Sequence, residues 1–290
     1  MRYEFAKPRI VISNESSNAC VQKMCHVLEV SRSNYYRYKK NPESLRQKAN
    51  VKLLDSINKV HKMSRYTYGS PRITIELREQ GDTCSKNRVA RIMRENDIKA
   101  KTARKFKVTT NSKHNMPISE NLLNQNFSVS TPDRVWVSDI TYIRTLEGWL
   151  YLSIILDLYS RKIIGWSVSD RITKKVVTDA LLKAIWNRKP SKGLIVHSDQ
   201  GSQYASIEFR NIIKRFGFKQ SMSGKGNCYD NAVAESFFHT IKTECVYSEV
   251  YNSKAEAKSA IFDYIEIFYN RQRRHSTIGY MSPVDFEKKM

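Results

Sequence analysis

The sequence predicts a mixed α/β domain with flanking helices in its back half, preceded by all-α helix-turn-helix segments. Three observations carry that expectation. Beyond Ser128 the apolar residues fall into strand-length runs, which then alternate with helical periodicities. Ahead of Ser128 lie two pairs of short helical segments, each divided by turn and capping residues. Charge divides at nearly the same place: residues 1–118 carry 26 Lys and Arg against 10 Asp and Glu, a net of +16, while residues 119–290 carry 24 against 18, a net of +6. A basic front joined to a nearly balanced back is the pattern of a polyanion-binding module ahead of a folded domain, although a merely basic soluble protein shares it.

Several classes are not expected. No apolar run approaches the roughly 18 residues that span a bilayer, and the first residues lack a hydrophobic signal core. The five cysteines (Cys20, Cys25, Cys84, Cys228 and Cys245) are scattered and form no Cys-x-x-Cys pair, so neither a disulfide framework nor a structural zinc site is expected.

In chain order, residues 19–40 read as helix, turn and helix. Val21, Met24, Val27 and Leu28 make an apolar stripe, Glu29 and Val30 the turn, and Ser31 the N-cap of a basic, tyrosine-rich second helix ended by Asn41-Pro42. Arg32, Tyr35, Tyr36, Arg37 and Lys39 on that helix are candidate DNA contacts, with an ordinary helical hairpin as the alternative. A second unit opens at Ser70-Pro71, closes its first helix at Gly81 and starts another at Ser85, with Arg88 and Arg91 on the outer face. The expected divisions are 1–62, 63–108, a polar linker at 109–127, and the α/β domain at 128–290. Within the last, Arg134–Tyr142 alternates, Trp149–Leu158 and Ile163–Val168 are continuous apolar runs, and Lys174–Arg188 is helical. Gly193–Ser198 and Phe218–Ser221 read as strands around a helix at Ser206–Phe216, and Asp230–Tyr247 and Lys254–Asn270 as long amphipathic helices.

Three carboxylates stand in settings that disfavour them. Asp139 shares a strand face with Val135 and Val137, where a charge is costly without a partner such as a metal. Asp199 ends a hydrophobic strand just before Gly201, where ligands collect in open α/β sheets. Glu235 lies on a helix whose apolar arc holds Val233, Ala234, Phe237, Phe238 and Ile241; at about 100° per residue, Glu235, His239 and Lys242 share a wedge on the other side. Taken singly, each has a plain reading as turn cap, Asx-turn or solvated helix residue. As a set they supply the hard oxygen donors that magnesium requires, from two strands and a helix. Asp157 reads as a strand-end turn residue or a supporting carboxylate, Asp230 as the N-cap of the helix bearing Glu235, and His197 and His239 as secondary. The loop Ser223–Tyr229 is either a closing loop or plain surface.

Residues 134–143 (Arg-Val-Trp-Val-Ser-Asp-Ile-Thr-Tyr-Ile), 197–204 (His-Ser-Asp-Gln-Gly-Ser-Gln-Tyr) and 227–242 (Asn-Cys-Tyr-Asp-Asn-Ala-Val-Ala-Glu-Ser-Phe-Phe-His-Thr-Ile-Lys) resemble, in order, the three acidic motifs of transposases of the IS-three (insertion sequence three) family. Thirty-five residues separate Asp199 from Glu235, the spacing of that family and of retroviral integrases. The tail Tyr269–Tyr280 and the segments Val30–Tyr36 and Tyr68–Ile73 resemble the family's closing and helix-turn-helix signatures, so the resemblance covers roughly residues 20–290. It implies a ribonuclease-H-like, integrase-type catalytic core in which Asp139, Asp199 and Glu235 bind two magnesium or manganese ions and Lys242 is the basic residue following the catalytic Glu. It implies DNA cleavage followed by joining of the 3′-hydroxyl, with Lys225, Arg271, Arg273 and Arg274 on phosphates near the cut. The expected partners are double-stranded DNA, further copies of the chain in a synaptic complex, and the upstream-frame product as a fusion; the expected place is the nucleoid-associated cytoplasm. The integrases' His-His-Cys-Cys module has no match, so zinc is not expected. A nuclease that does not join, and a catalytically idle DNA-binding regulator, remain open as alternatives.

Overall fold

A computed structural model describes residues 18–40, 44–101, 117–224, 228–247 and 249–289. The first helical pair is α1 (Asn18–Val27) and α2 (Arg32–Lys40). Glu29 takes a left-handed φ of 53° at the turn, and Ser31 Oγ accepts from Asn34 N at 3.1 Å as the N-cap. The small core differs from the expected stripe. Val21, Cys25 and Tyr35 are buried against Val30, whereas Val27 is 79% exposed.

The second unit has three helices, one more than the sequence pattern suggests. The additional one is the 19-residue α3 (Leu45–Met63), which begins at a reciprocal cap between Ser44 and Gln47. The others are α4 (Ser70–Glu79) and α5 (Lys86–Glu95). Leu53, Ile57 and Val60 of α3 join Ile73, Leu77, Val89 and Ile92 in one core, so α3 straddles the expected boundary region and packs with α4 and α5. Ser70 is the first residue of α4 rather than its cap, which is Gly69, while Ser85 caps α5 through Arg88 N at 3.2 Å.

The α/β domain is a five-stranded sheet of β1 (Val135–Thr145), β2 (Gly148–Asp157), β3 (Ile163–Ser169), β4 (Ile195–Ser198) and β5 (Lys219–Met222), in the order β3-β2-β1-β4-β5. The first three strands form an antiparallel meander, and β4 and β5 add in parallel beside β1, the ribonuclease-H-like arrangement. Alternation along β1 sends Trp136 to one face, with α6 (Lys174–Arg188) and α7 (Ile207–Arg215), and Val135 and Val137 to the other. That second face is covered by α8 (Ala232–Ile241), which comes after a 3₁₀ turn at Cys228–Asn231 and runs on into a π-helical segment at Lys242–Val246. Beside it lies α9 (Lys254–Phe262), which continues as a π segment over Asp263–Tyr269. A short α10 (Pro283–Glu287) closes the chain.

The described part of the expected linker is not free. Leu123 is buried, Leu122 N donates to Ser221 Oγ at 2.9 Å and Met222 N to Glu120 O, so residues 117–126 lie along β5.

Two features fix how the layers meet. At Gly165 on β3, an added Cβ would stand 2.4 Å from Ala180 O and 2.6 Å from Ala184 N, so α6 lies closer to the sheet than any side chain there allows. Between the π segments, the buried Glu244 carboxylate accepts from Arg273 Nε (2.8 Å) and Nη2 (2.7 Å) and from Tyr264 Oη (2.8 Å). The three-helix unit is tied to the same region. Arg274 pairs with Glu76 (2.5 Å) and Glu79 (2.6 Å), Arg65 pairs with Asp263, Arg274 N donates to Tyr68 Oη (2.8 Å), and Lys101 Nζ reaches Glu244 O (3.0 Å).

Gly165→Ala is expected to destabilise the chain by about 1–3 kcal/mol or more, because the obstacle is helix backbone; urea denaturation monitored by circular dichroism measures it. Arg273→Met leaves Glu244 buried without its counter-charge and is expected to cost about 3–5 kcal/mol, with Glu244→Gln in the same chain recovering part of the loss. Equal stability of the single and double variants would contradict that account.

Candidate active site

Pairing of β1 with β4 sets up the site. The parallel register matches Val137 to His197, which brings Asp199, the residue just past the end of β4, toward Asp139 on the face of Val135 and Val137, near enough for its charge to act on Asp139. That is the face covered by α8. Asn231 Nδ2 donates to Ser138 O at 3.1 Å and pins the start of the helix to β1, so Glu235 comes about one turn along. Ala234, Phe237, Phe238 and Ile241 are buried and Glu235 and His239 exposed, as the wedge requires.

Electrostatics link the three carboxylates. Burial first, and then the charge of Asp199, push Asp139 well above the ordinary carboxylate range, with Glu235 adding to the rise. Ile140 N, which donates to Asp139 Oδ1 at 2.7 Å, and the Lys242 ammonium pull the other way. Glu235 is raised by burial and by Asp199. Lys242, at the junction of α8 and its π segment, lies over the Tyr142 ring at 4.7 Å; burial lowers its pKa, against Tyr142 and Asp139. Asp199 also makes the Asx-turn of the plain reading, accepting from Gly201 N at 2.9 Å. Among the described residues, no three His, Cys, Asp or Glu side chains are already gathered closely enough to enclose an ion. The donor set is nevertheless suited to one: three acidic groups that repel one another around a face otherwise apolar.

Residues outside the expected set support this face. Tyr204 is buried with its hydroxyl 2.9 Å from Ser138 Oγ, and burial together with Asp139 and Asp199 raises its phenol well above the usual range. Its only signal in the sequence is its position five residues after Asp199. Asp230 is not the N-cap of α8, a position held by Asn231. Its buried carboxylate accepts from Gly224 N (2.7 Å), Asn121 Nδ2 (3.0 Å) and Gln125 Nε2 (3.0 Å), joining the segment along β5 to the start of the helix. His197 is buried between Ser221 Oγ (2.8 Å) and Ser223 Oγ (3.3 Å), its pKa lowered to about 4 by burial, and so is neutral. Asp157 faces away from the triad's neighbourhood, toward Asp133 N, Ser160 and Arg188, with its pKa raised to about 6 by burial first.

Several expected DNA contacts require correction. Tyr35 is buried in the core of the first helical pair. Arg273 is 4% exposed and spent on Glu244, and Arg274 is spent on Glu76 and Glu79. Arg88 gives Nε and Nη2 to Asn50 Oδ1, and Arg91 lies 3.7 Å from Glu95. Arg32, Tyr36, Arg37, Lys39 and Arg271 are exposed. Lys225 lies outside the described residues.

Similarity to known proteins runs along the same divisions. The integrase core domain family matches residues 129–228 and, through a second family of the same description, residues 235–290, and an HTH-like domain matches residues 48–106. The "Insertion element IS600 uncharacterized 31 kDa protein" of Shigella sonnei is 46% identical over 92% of this chain and 98% of its own length. The "Transposase InsF for insertion sequence IS3A" of Escherichia coli (strain K12) is 43% identical over 97% of this chain and 98% of its own. Among solved structures, the intasome of simian T-cell lymphotropic virus with PP2A regulatory subunit B56 gamma aligns over 80% of this chain and 74% of its own at 16% identity and a TM-score of 0.47. The HTLV-2 integrase catalytic core domain in complex with magnesium (trimeric form) aligns over 54% of this chain and 97% of its own at 15% identity and a TM-score of 0.40. With identities of 43–46% sustained over more than nine-tenths of its length, and an integrase core behind an HTH-like domain, the chain belongs to the IS3 family of transposases.

Proposed function

We propose that this transposase cuts the ends of its insertion sequence and joins the freed 3′-hydroxyls to target DNA at a centre formed by Asp139, Asp199 and Glu235. The observation that carries the proposal is the gathering of three acidic groups: burial, and then the charge of Asp199, raise both Asp139 and Glu235, and a bound divalent cation would offset both costs. Asp139 on β1, Asp199 just beyond the paired β4, and Glu235, exposed on α8, would hold two magnesium or manganese ions. Bound there, the ions supply the Lewis acidity that favours attack of water, and then of a DNA 3′-hydroxyl, on a phosphodiester.

The remaining work falls to the chain's own groups. Ile140 N holds one oxygen of Asp139 and Gly201 N one oxygen of Asp199, so each carboxylate presents its other oxygen in a set orientation. Lys242, half withdrawn from solvent, neutralises a phosphate oxygen beside the cut, and Tyr142 keeps its ammonium on that side. Arg32, Tyr36, Arg37, Lys39 and Arg271 contact DNA further away, where the spread of phosphate charge calls for exposed cations. Bringing two element ends together requires more than one copy of the chain.

The test uses labelled element ends, both intact and pre-cleaved, with magnesium. Asp139→Asn, Asp199→Asn and Glu235→Gln are each expected to lower cleavage and joining by about 10³-fold or more while end binding persists, the scale of losing a principal charge-stabilising group. Lys242→Ala is expected to lose about 10- to 100-fold, as for one charge-assisted hydrogen bond. In thermal melts, magnesium should stabilise the parent chain and not Asp139→Asn, while metal-free Asp139→Asn should melt above the metal-free parent because the repulsion is gone. Normal cleavage by any triad variant refutes the assignment, and cleavage without joining of pre-cleaved ends reduces the activity to hydrolysis.

A further inference from the structure

On the flank of α8 turned away from Glu235, a cleft of about 240 Å³ is lined by Arg72, Arg161, Arg273 and His275, with the hydroxyls of Ser236 and Thr277 at its edge. Six separate parts of the chain supply it: the first turn of α4, the end of β2, the turn between β2 and β3, α8, the end of the second π segment, and the segment before α10. Its charge is unbalanced. Arg273 is neutralised by Glu244. Arg72 has the Tyr68 ring beneath it, 5.6 Å from its guanidinium carbon. Arg161 gives Nη2 to Phe127 O at 3.3 Å, while its Nη1 is buried and finds no acceptor among the described residues. The carboxylate nearest in effect to Arg161 is Asp157, already engaged by Arg188, Asp133 N and Ser160.

The groups around the cleft register that imbalance. Burial lowers the pKa of Arg72, and Arg273 lowers it further, with Glu244 opposing. Burial lowers that of Arg161. His275 is pushed well below its ordinary value by burial and then by Arg273, Arg72 and Arg161 together, and so sits there neutral. A partly buried guanidinium with an idle donor is costly, and its planar fork matches an oxyanion, which Arg161 Nη1 would meet by a turn of the side chain toward the cleft.

We propose that this cleft is a binding site for a phosphate-class oxyanion, gripped by Arg72 and Arg161 and edged by Ser236 and Thr277. A tetrahedral phosphate-class anion brings negative charge to two guanidiniums and offers acceptor oxygens in several directions, which a planar carboxylate does not. The oxyanion comes either from a DNA backbone phosphate, singly charged, or from free phosphate, which carries up to two charges near neutral pH; both present tetrahedral non-bridging oxygens. Because Ser236 adjoins Glu235, an occupant rests against the helix that carries the third carboxylate.

The experiment uses the full chain in phosphate-free buffer with EDTA, so its outcome is independent of the metal centre. Melting and calorimetric titration with low-millimolar inorganic phosphate, against acetate, are compared for the parent, Arg161→Gln, Arg72→Gln and Thr277→Glu. If free phosphate is the ligand, it stabilises the parent, and its affinity falls about tenfold or more in the Arg variants and Thr277→Glu. If the DNA backbone is the source, free phosphate has no effect, and the same variants weaken binding of an element-end duplex about tenfold. Either result supports the site. Parent-like behaviour in both arms for Thr277→Glu, whose exposed position tolerates the change even if an arginine variant does not fold, overturns it.

Discussion

Like-charge repulsion between Asp139 and Asp199 is built into the pairing of β1 with β4, and much of the domain serves to hold it. Asp139 lies on β1, and Asp199 follows directly on β4, the strand that pairs with it, so the ladder that ends at Val137 and His197 limits how far the two can draw apart. Resistance comes from below and above. Trp136 anchors β1 in the opposite core, Tyr204 and Ser138 bond beneath the pair, and Asn231 fastens α8 over it. Glu235 differs in kind. It stands exposed on the helix, so the third proposed donor has more freedom to adjust than Asp139, which lies within β1.

The arginines divide along a line that net charge does not reveal. In the closing signature, adjacent residues serve different ends: Arg271 is exposed, Arg273 neutralises a buried glutamate, and Arg274 ties the three-helix unit to the catalytic domain. A run of basic residues in a DNA-handling protein invites assignment to phosphates, and here two of three are occupied by carboxylates. Because Glu76 and Glu79 lie on α4, DNA held by the helical unit is held at a set distance from the triad.

The sheet is legible in the sequence because its strands obey a two-residue alternation or are buried on both sides, and the order of strand and helix leaves few topologies. The proposed triad is suggested by the sequence because each carboxylate sits where an apolar residue or a loop would ordinarily be, in an ordered set. The rest is hidden for physical reasons. Helix α3 has a mostly polar surface and only Leu53, Ile57 and Val60 deeply buried among its apolar residues, a weak stripe for 19 residues. The π segments leave no mark in a pattern that assumes one pitch. Tyr35 and Arg273 mislead because aromatic and cationic side chains suit a buried contact as well as a DNA contact, and local spacing does not tell which partner tertiary packing provides. Asp230 carries the same ambiguity: an acid just ahead of a helix serves as a cap unless other groups reach it first, as Asn121 and Gln125 do.

Ion pairs that fasten the helical unit to the catalytic domain have a consequence for how affinity varies with ionic strength. Glu79 is 60% exposed in its pair with Arg274, and Asp263 51% in its pair with Arg65, so counter-ions that compete for DNA phosphates also screen these links. Added salt therefore weakens the clasp between the two lobes as well as the grip on the duplex. A steep salt dependence for this protein thus overstates the number of phosphates it touches, since part of the slope belongs to ion pairs within the protein itself.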